Sequence, residues 1–112
     1  MTVEPGAIVW ASVPDKNGHV KDRPLVVMSI GTESDPTIVC SCITTRDEHP
    51  RPKTYVRVPW DARGRSSTGL RQPSFAVADW PVTIRRSMIR RRAGELSEQQ
   101  MSRLVSKIAK AQ

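Results

Sequence analysis

The sequence predicts a mainly β domain with one C-terminal helix, built as a small, strongly bent sheet or partial barrel. Three observations carry this. Short segments rich in Val and Ile recur along the chain, bounded by Gly, Pro, Asp and Asn. The hydrophobic period lengthens from two toward 3.6 only near the C-terminus. At 112 residues the chain has the size of one domain with one core, so residues 1–112 are read as a single unit.

In chain order, "AIVWA" (7–11), "PLVVMSI" (24–30) and "TIVCSCIT" (37–44) are the first three strands. Between the first two lies "SVPDKNGHVKDR", read as a long polar loop with a turn signal at Asn17-Gly18. "TYVRVP" (54–59) alternates, with Tyr55 and Arg57 on one side and Val56 and Val58 on the other. "SFAVADWPVTI" (74–84) reads as one or two further strands, interrupted near Pro81 because proline has no N–H for a ladder. At the end, Ser97 is a helix N-cap, Gln100 completes a capping box, and Leu96 and Met101 stand where a hydrophobic staple puts them. Met101, Leu104, Val105 and Ile108 then follow i, i+3, i+4, i+7 spacing, one apolar stripe expected to pack on the sheet.

Composition narrows the function classes. No apolar run approaches the roughly 20 residues that span a bilayer. The start, Met1-Thr-Val-Glu-Pro, has neither the basic residues nor the apolar stretch of a signal peptide. A cytoplasmic protein with no membrane partner is expected. Cys40 and Cys42 are badly placed for a disulfide on one strand face. His19 and His49, the two histidines, give them no metal-ligand spacing. They read as small buried hydrophobes, and neither a metal nor a cofactor is expected. The net charge is +7, with four Lys/Arg against seven Asp/Glu in residues 1–50 and fourteen against four in residues 51–112. A basic second half suits a polyanion or an acidic protein partner, and equally a solvated face.

No metal motif, phosphate-binding glycine loop or nucleophile elbow is present. What remains is polar residues at strand ends: His19, Arg23, Thr44, Thr45, Ser74 and Asp79. Each alone has an ordinary structural reading, Arg23 as a surface partner of Asp15 or Asp22 and Thr44 and Thr45 as good β formers. Together they are the parts of metal-free phosphodiester cleavage. A fixed guanidinium meets a phosphate bidentately, hydroxyls position the other oxygens, and Asp79 or His19 takes a proton from a ribose 2′-OH.

The order of residues resembles the MazF/PemK toxins of bacterial toxin–antitoxin modules. "GAIVW" is similar to the family's opening strand, "RPLVVMS" to its Arg-Pro strand, and "CITT" to its Ile-Thr-Ser/Thr strand end. "STGLRQPSFAVADWPVTI" resembles the Thr-Gly-Leu turn and the strand ending on an acidic residue, and "AGELSEQQMSRLVSKI" the lead-in to the last helix. The resemblance implies an SH3-like barrel of the MazF/PemK/CcdB type, usually a homodimer. It implies a sequence-specific, metal-independent endoribonuclease on single-stranded RNA that leaves a 2′,3′-cyclic phosphate and a 5′-hydroxyl. It also implies a cognate acidic antitoxin whose flexible tail covers the RNA groove.

By position, Arg23 matches the family's catalytic Arg, Thr44 and Thr45 its Thr-Ser/Thr pair, and Asp79 its acidic residue. His19 falls in the loop where some members place a functional histidine. Lys21, Arg57, Arg71, Ser74 and Arg85 are the expected RNA contacts. Two positions depart from the pattern: Ala7 stands where an acidic residue is common, and Val77 where some members have a second catalytic arginine. Two other readings stay open, a gyrase-poisoning toxin of the same fold and a non-catalytic nucleic-acid-binding barrel. Trp10, Trp60 and Trp80 read as core residues, the last two also as contacts for a partner.

Overall fold

The computed structural model describes residues 3–15 and 17–111. Six strands form one antiparallel sheet: β1 (Ala7–Pro14), β2 (Val20–Ile30), β3 (Thr37–Thr44), β4 (Tyr55–Val58), β5 (Ser74–Arg85) and β6 (Ile89–Glu95). Their order across the sheet is β4-β5-β3-β2-β1-β6, and helix α1 (Glu98–Ala111) ends the chain. The mainly β class with a C-terminal helix is as expected.

The strand ends depart from the sequence reading where hydrogen bonding outweighs polarity. The ladder of β1 and β2 runs from Ile8↔Val26 out to Pro14↔Val20, so most of the expected long loop is paired hairpin. Its turn is tied by the Asp15 carboxylate, whose Oδ1 accepts the N–H groups of Asn17 (2.8 Å) and His19 (2.9 Å). That is the Asx geometry which lets a polar segment turn tightly.

β5 is a single strand, not two. Its outer neighbour β4 reaches only from Ser74 to Val77 in register, so Pro81 lies where β5 has β3 alone beside it, and a missing N–H is tolerated. β6 was not legible. "IRRRAGE" carries three successive arginines, and it forms because its backbone pairs with β1 on one side only.

Register shifts bend the sheet at four places: between Ile8 and Val9, Trp10 and Ala11, Val27 and Ser29, and Ser41 and Ile43. The curved sheet packs two apolar clusters. One gathers Val9, Ala11, Val13, Leu25, Val27, Cys40, Cys42 and Ile84, with Trp80 and Ile89 against it. The other gathers Ile8, Val26, Ile43, Val56, Val58, Ala76 and Leu104, with Met101 and Ile108 against it. Burial pushes the Cys40 and Cys42 thiols up to about 12 and about 11, so both stay neutral in the core.

The helix is capped as expected: the Ser97 N–H donates to Gln100 Oε1 (2.8 Å) and the Gln100 N–H to Ser97 Oγ (3.2 Å). Its stripe is only partly core. Leu104 is fully buried, worth roughly 2–3 kcal/mol of apolar burial, whereas Val105 is 51% exposed. The tryptophans also sit further out than expected, Trp10 and Trp80 half-buried and Trp60 exposed. At the Thr68-Gly69-Leu70 turn, Gly69 has φ +71° and lies so close to the Ala93 carbonyl that any side chain would collide with it. This close approach brings the turn against β6, where the Glu95 N–H donates to the Ser67 carbonyl (2.9 Å).

Candidate functional site

Arg23 sits on β2 opposite Ala11 of β1, followed by Pro24, whose ring fixes the backbone φ. β2 and β3 pair with Leu25 opposite Cys42. Continuing that register brings Thr44, the last residue of β3, across from Arg23. The third contributor is β5. Ser41 pairs with Pro81 but Ile43 pairs with Ala76, so the four residues Val77–Trp80 oppose Cys42 alone. This bulge is pinned from inside by the buried Ser41 hydroxyl, which donates to the Val77 carbonyl (2.7 Å). It leaves Asp79 exposed and sets the indole of Trp80 5.2 Å from the Arg23 guanidinium. Bulges that re-aim side chains in this way recur beside active sites.

The three strand ends enclose a hollow of about 560 Å³. Arg23, Thr44, Thr45, Asp79 and Lys21 line it, as do Asp15, Arg46, Thr54, Tyr55 and Trp80. Arg23 is only 9% exposed, yet its partners are few. Asp15 Oδ2 stands 3.6 Å from its Nη2, longer than a good hydrogen bond, and among the described residues its buried Nε has no acceptor. Such an orphaned donor costs about 1–3 kcal/mol, which an arriving anion offsets. The His19 N–H bond holds the Asp15 carboxyl below its usual range, with the nearby positive charge of Arg23 a smaller contribution. Burial pushes the Tyr55 hydroxyl up, so at neutral pH it remains a hydrogen-bond donor.

The hollow is not a simple basic groove. Lys21, Arg23 and Arg46 face Asp15, Glu48 and Asp79, three cations against three carboxylates. Arg46 is tied to Glu48 (3.3 Å), and all three cations come from the acidic first half of the chain. The strongly basic second half contributes none of them.

The other expected residues stand elsewhere. His19 does not line the hollow; its side chain is 81% exposed, 3.6 Å from Asp15 Oδ2 at the hairpin turn. Ser74 is buried, and its hydroxyl donates to the Gln72 carbonyl (2.8 Å). Arg57 lies over the Phe75 ring at 5.8 Å, Arg71 is in the segment between β4 and β5, and Arg85 is at the far end of β5. Among residues the sequence reading did not select, Arg46 directly follows the Thr44-Thr45 pair, which was a usable signal. Thr54 and Tyr55 reach the hollow only because β4 pairs back onto β5. Among the described residues, no group of three or more His, Cys, Asp or Glu is placed to hold a metal ion.

A second, mainly apolar hollow of about 440 Å³ lies between the sheet and α1, lined by Met28, Val39, Pro81, Val105 and Ile108 and again by Asp79.

Residues 4–111 match the model of a protein family described as PemK-like, MazF-like toxin of type II toxin–antitoxin system. Comparison with the curated proteins finds no match. Among solved structures, Mycobacterium tuberculosis toxin MazF-mt6 is similar at 27% identity over 94% of each chain, with a TM-score of 0.69. MazF from Deinococcus radiodurans is 16% identical over 99% of this chain and 96% of its own, with a TM-score of 0.73, a likeness of fold. An endoribonuclease in complex with its cognate antitoxin, from a mycobacterial species, is 17% identical over 96% of this chain and 89% of its own, with a TM-score of 0.66.

Proposed function

The chain belongs to the PemK-like, MazF-like toxins of type II toxin–antitoxin systems, and from that premise we propose that it cuts single-stranded RNA at the Arg23 hollow. The observation that carries this reading is a buried guanidinium with donors to spare, set in one hollow with two threonine hydroxyls and an exposed carboxylate. In the proposed reaction the 2′-oxygen attacks the adjacent phosphorus and displaces the 5′-oxygen. A 2′,3′-cyclic phosphate and a 5′-hydroxyl result. Arg23 stabilises the charge that develops on the phosphate oxygens, and Thr44 and Thr45 orient them. Asp79 takes the 2′-hydroxyl proton. His19, exposed at the hairpin turn beside Asp15 and outside the hollow, is the alternative to Asp79 for that proton, and the departing 5′-oxygen takes its proton from water. Lys21 meets the backbone next to the cut, and Arg57, Arg71 and Arg85 contact RNA beyond it, whereas Ser74, buried and bonded to the Gln72 carbonyl, serves the fold. The same reading makes the protein a cytoplasmic homodimer held inactive by an acidic antitoxin; a relative in fold, from Deinococcus radiodurans, is itself solved as a MazE–MazF complex.

Incubation of the purified protein with long single-stranded RNA in EDTA, with the product ends mapped, tests this directly. Discrete cuts ending in cyclic phosphate support it. Intact RNA, from protein shown to be folded and free of antitoxin, sinks it. A second reading has its own observation: Val77 lines the hollow at the position where some such toxins have a second arginine, and the charges there balance. On that reading the barrel holds RNA without cutting it, and the same experiment returns a tight complex with no product.

A further inference from the structure

A nine-tenths-buried arginine ordinarily spends its five N–H donors on fixed acceptors. Arg23 does not. Its one ionic contact among the described residues is the 3.6 Å approach of Asp15, and its Nε is buried without a partner. What lies against it is an aromatic face. The Trp80 ring centroid is 5.2 Å from the guanidinium carbon, and Trp80 is itself packed against the cluster of Leu25, Cys42 and Ile84. A ring attracts a guanidinium through its π face and takes none of the in-plane N–H groups. The bulge at Val77–Trp80 gives the indole this place.

We infer that Trp80 is a positioning residue for Arg23: it holds the guanidinium in place of hydrogen-bond acceptors, and so keeps its donors free for an RNA phosphate. The inference rests on the ribonuclease reading for its consequence in catalysis, but not for its geometry. Trp80 acts through Arg23 and need not touch the RNA. Removing the ring lets Arg23 turn toward Asp15, which costs rate at the chemical step more than it costs RNA affinity.

Two measurements separate this inference from the reading beneath it. In nitrogen-15 NMR without RNA, the Arg23 Nε–H resonance is expected upfield of the other arginines, displaced by the indole ring current. It should return to their range in Trp80→Leu and stay displaced in Trp80→Phe. In single-turnover cleavage at saturating enzyme, Trp80→Leu is expected to lower the rate at least tenfold, while its Kd for an all-2′-deoxy strand changes less than threefold. Trp80→Phe should restore most of the rate. An undisplaced Arg23 signal in the wild type, or Trp80→Leu cutting at the wild-type rate while Arg23→Ala does not cut, overturns the positioning role. A displaced signal in a protein that never cuts RNA overturns the ribonuclease reading and leaves the geometry standing. If Trp80→Leu does not fold, Trp80→Phe together with Trp80→Met carries the same comparison.

Discussion

Two arginines in this chain share one feature and differ in everything around it. Arg23 and Arg92 each have a buried Nε without a partner among the described residues. Arg92, on β6, approaches two carboxylates, Glu4 and Glu95, both at 3.8 Å, and lines neither hollow. Arg23 lies against an indole beside a hollow of about 560 Å³ lined with hydroxyls and a free carboxylate. An orphaned donor therefore does not by itself mark a site. It becomes one where the neighbours leave the cation's edge open and the surroundings admit an anion.

The largest effect should separate the two. Arg23→Ala is expected to lower RNA cleavage by about 10²–10³-fold, the usual loss when a preorganised donor to a developing oxyanion is removed. Arg92→Ala should leave cleavage within twofold and lower Tm by only a few degrees, since long, half-exposed ion pairs contribute about 0–1 kcal/mol. Measured cleavage rates and melting curves for both variants decide it. Equal losses of activity would erase the distinction drawn here.

The next effect probes why β6 is structural. A Cβ on Gly94 would stand 2.1 Å from the Ser67 carbonyl oxygen and 2.6 Å from the Thr68 carbonyl carbon. Both are backbone atoms in a turn that cannot retreat without breaking the bond from the Glu95 N–H to the Ser67 carbonyl (2.9 Å). Gly94→Ala is therefore expected to destabilise the protein by roughly 1–3 kcal/mol, with more if the turn detaches. Urea unfolding reads it. A variant as stable as wild type would mean that the turn does not lock β6 as described.

The two arginines also show what the sequence could convey. Arg23 was legible because Pro24 and an apolar strand follow it, and Thr44 and Thr45 because they end a strand. Local chemistry was enough there. Arg92 and its strand were hidden, since three successive arginines carry no alternation and β6 exists through its pairing with β1. The same limit applied to the hollow. Its cations come from the acidic half of the chain because strand ends converge there, whereas the basic half spreads over β6, α1 and the segment before β5. Composition reports how much charge a segment holds, and topology decides where that charge faces. The bulge that exposes Asp79 and turns Trp80 onto Arg23 depends on a register shift between strands far apart in sequence, and no local pattern encodes such a shift.

The smallest effect concerns the carboxylate nearest Arg23. Asp15 is held below its usual range chiefly by the His19 N–H bond. A carboxyl whose folded pKa lies below its unfolded value of about 3.9 stabilises the fold at pH above that unfolded value. The contribution is lost as pH falls through the folded value. Asp15→Asn keeps an oxygen to accept the Asn17 and His19 amides but removes the charge and its titration. Wild type should therefore lose slightly more Tm than Asp15→Asn between pH 5 and pH 3, while the two curves run parallel above pH 5. Parallel curves over the whole range would mean that the turn takes no stability from the ionised form. Among the described residues, Asp15 is the carboxylate within 4 Å of Arg23, so at neutral pH the same variant should bind single-stranded RNA slightly more tightly than wild type, by about two- to threefold at low salt. No matching gain is expected from Glu95→Gln beside Arg92, because the charge released there faces neither hollow.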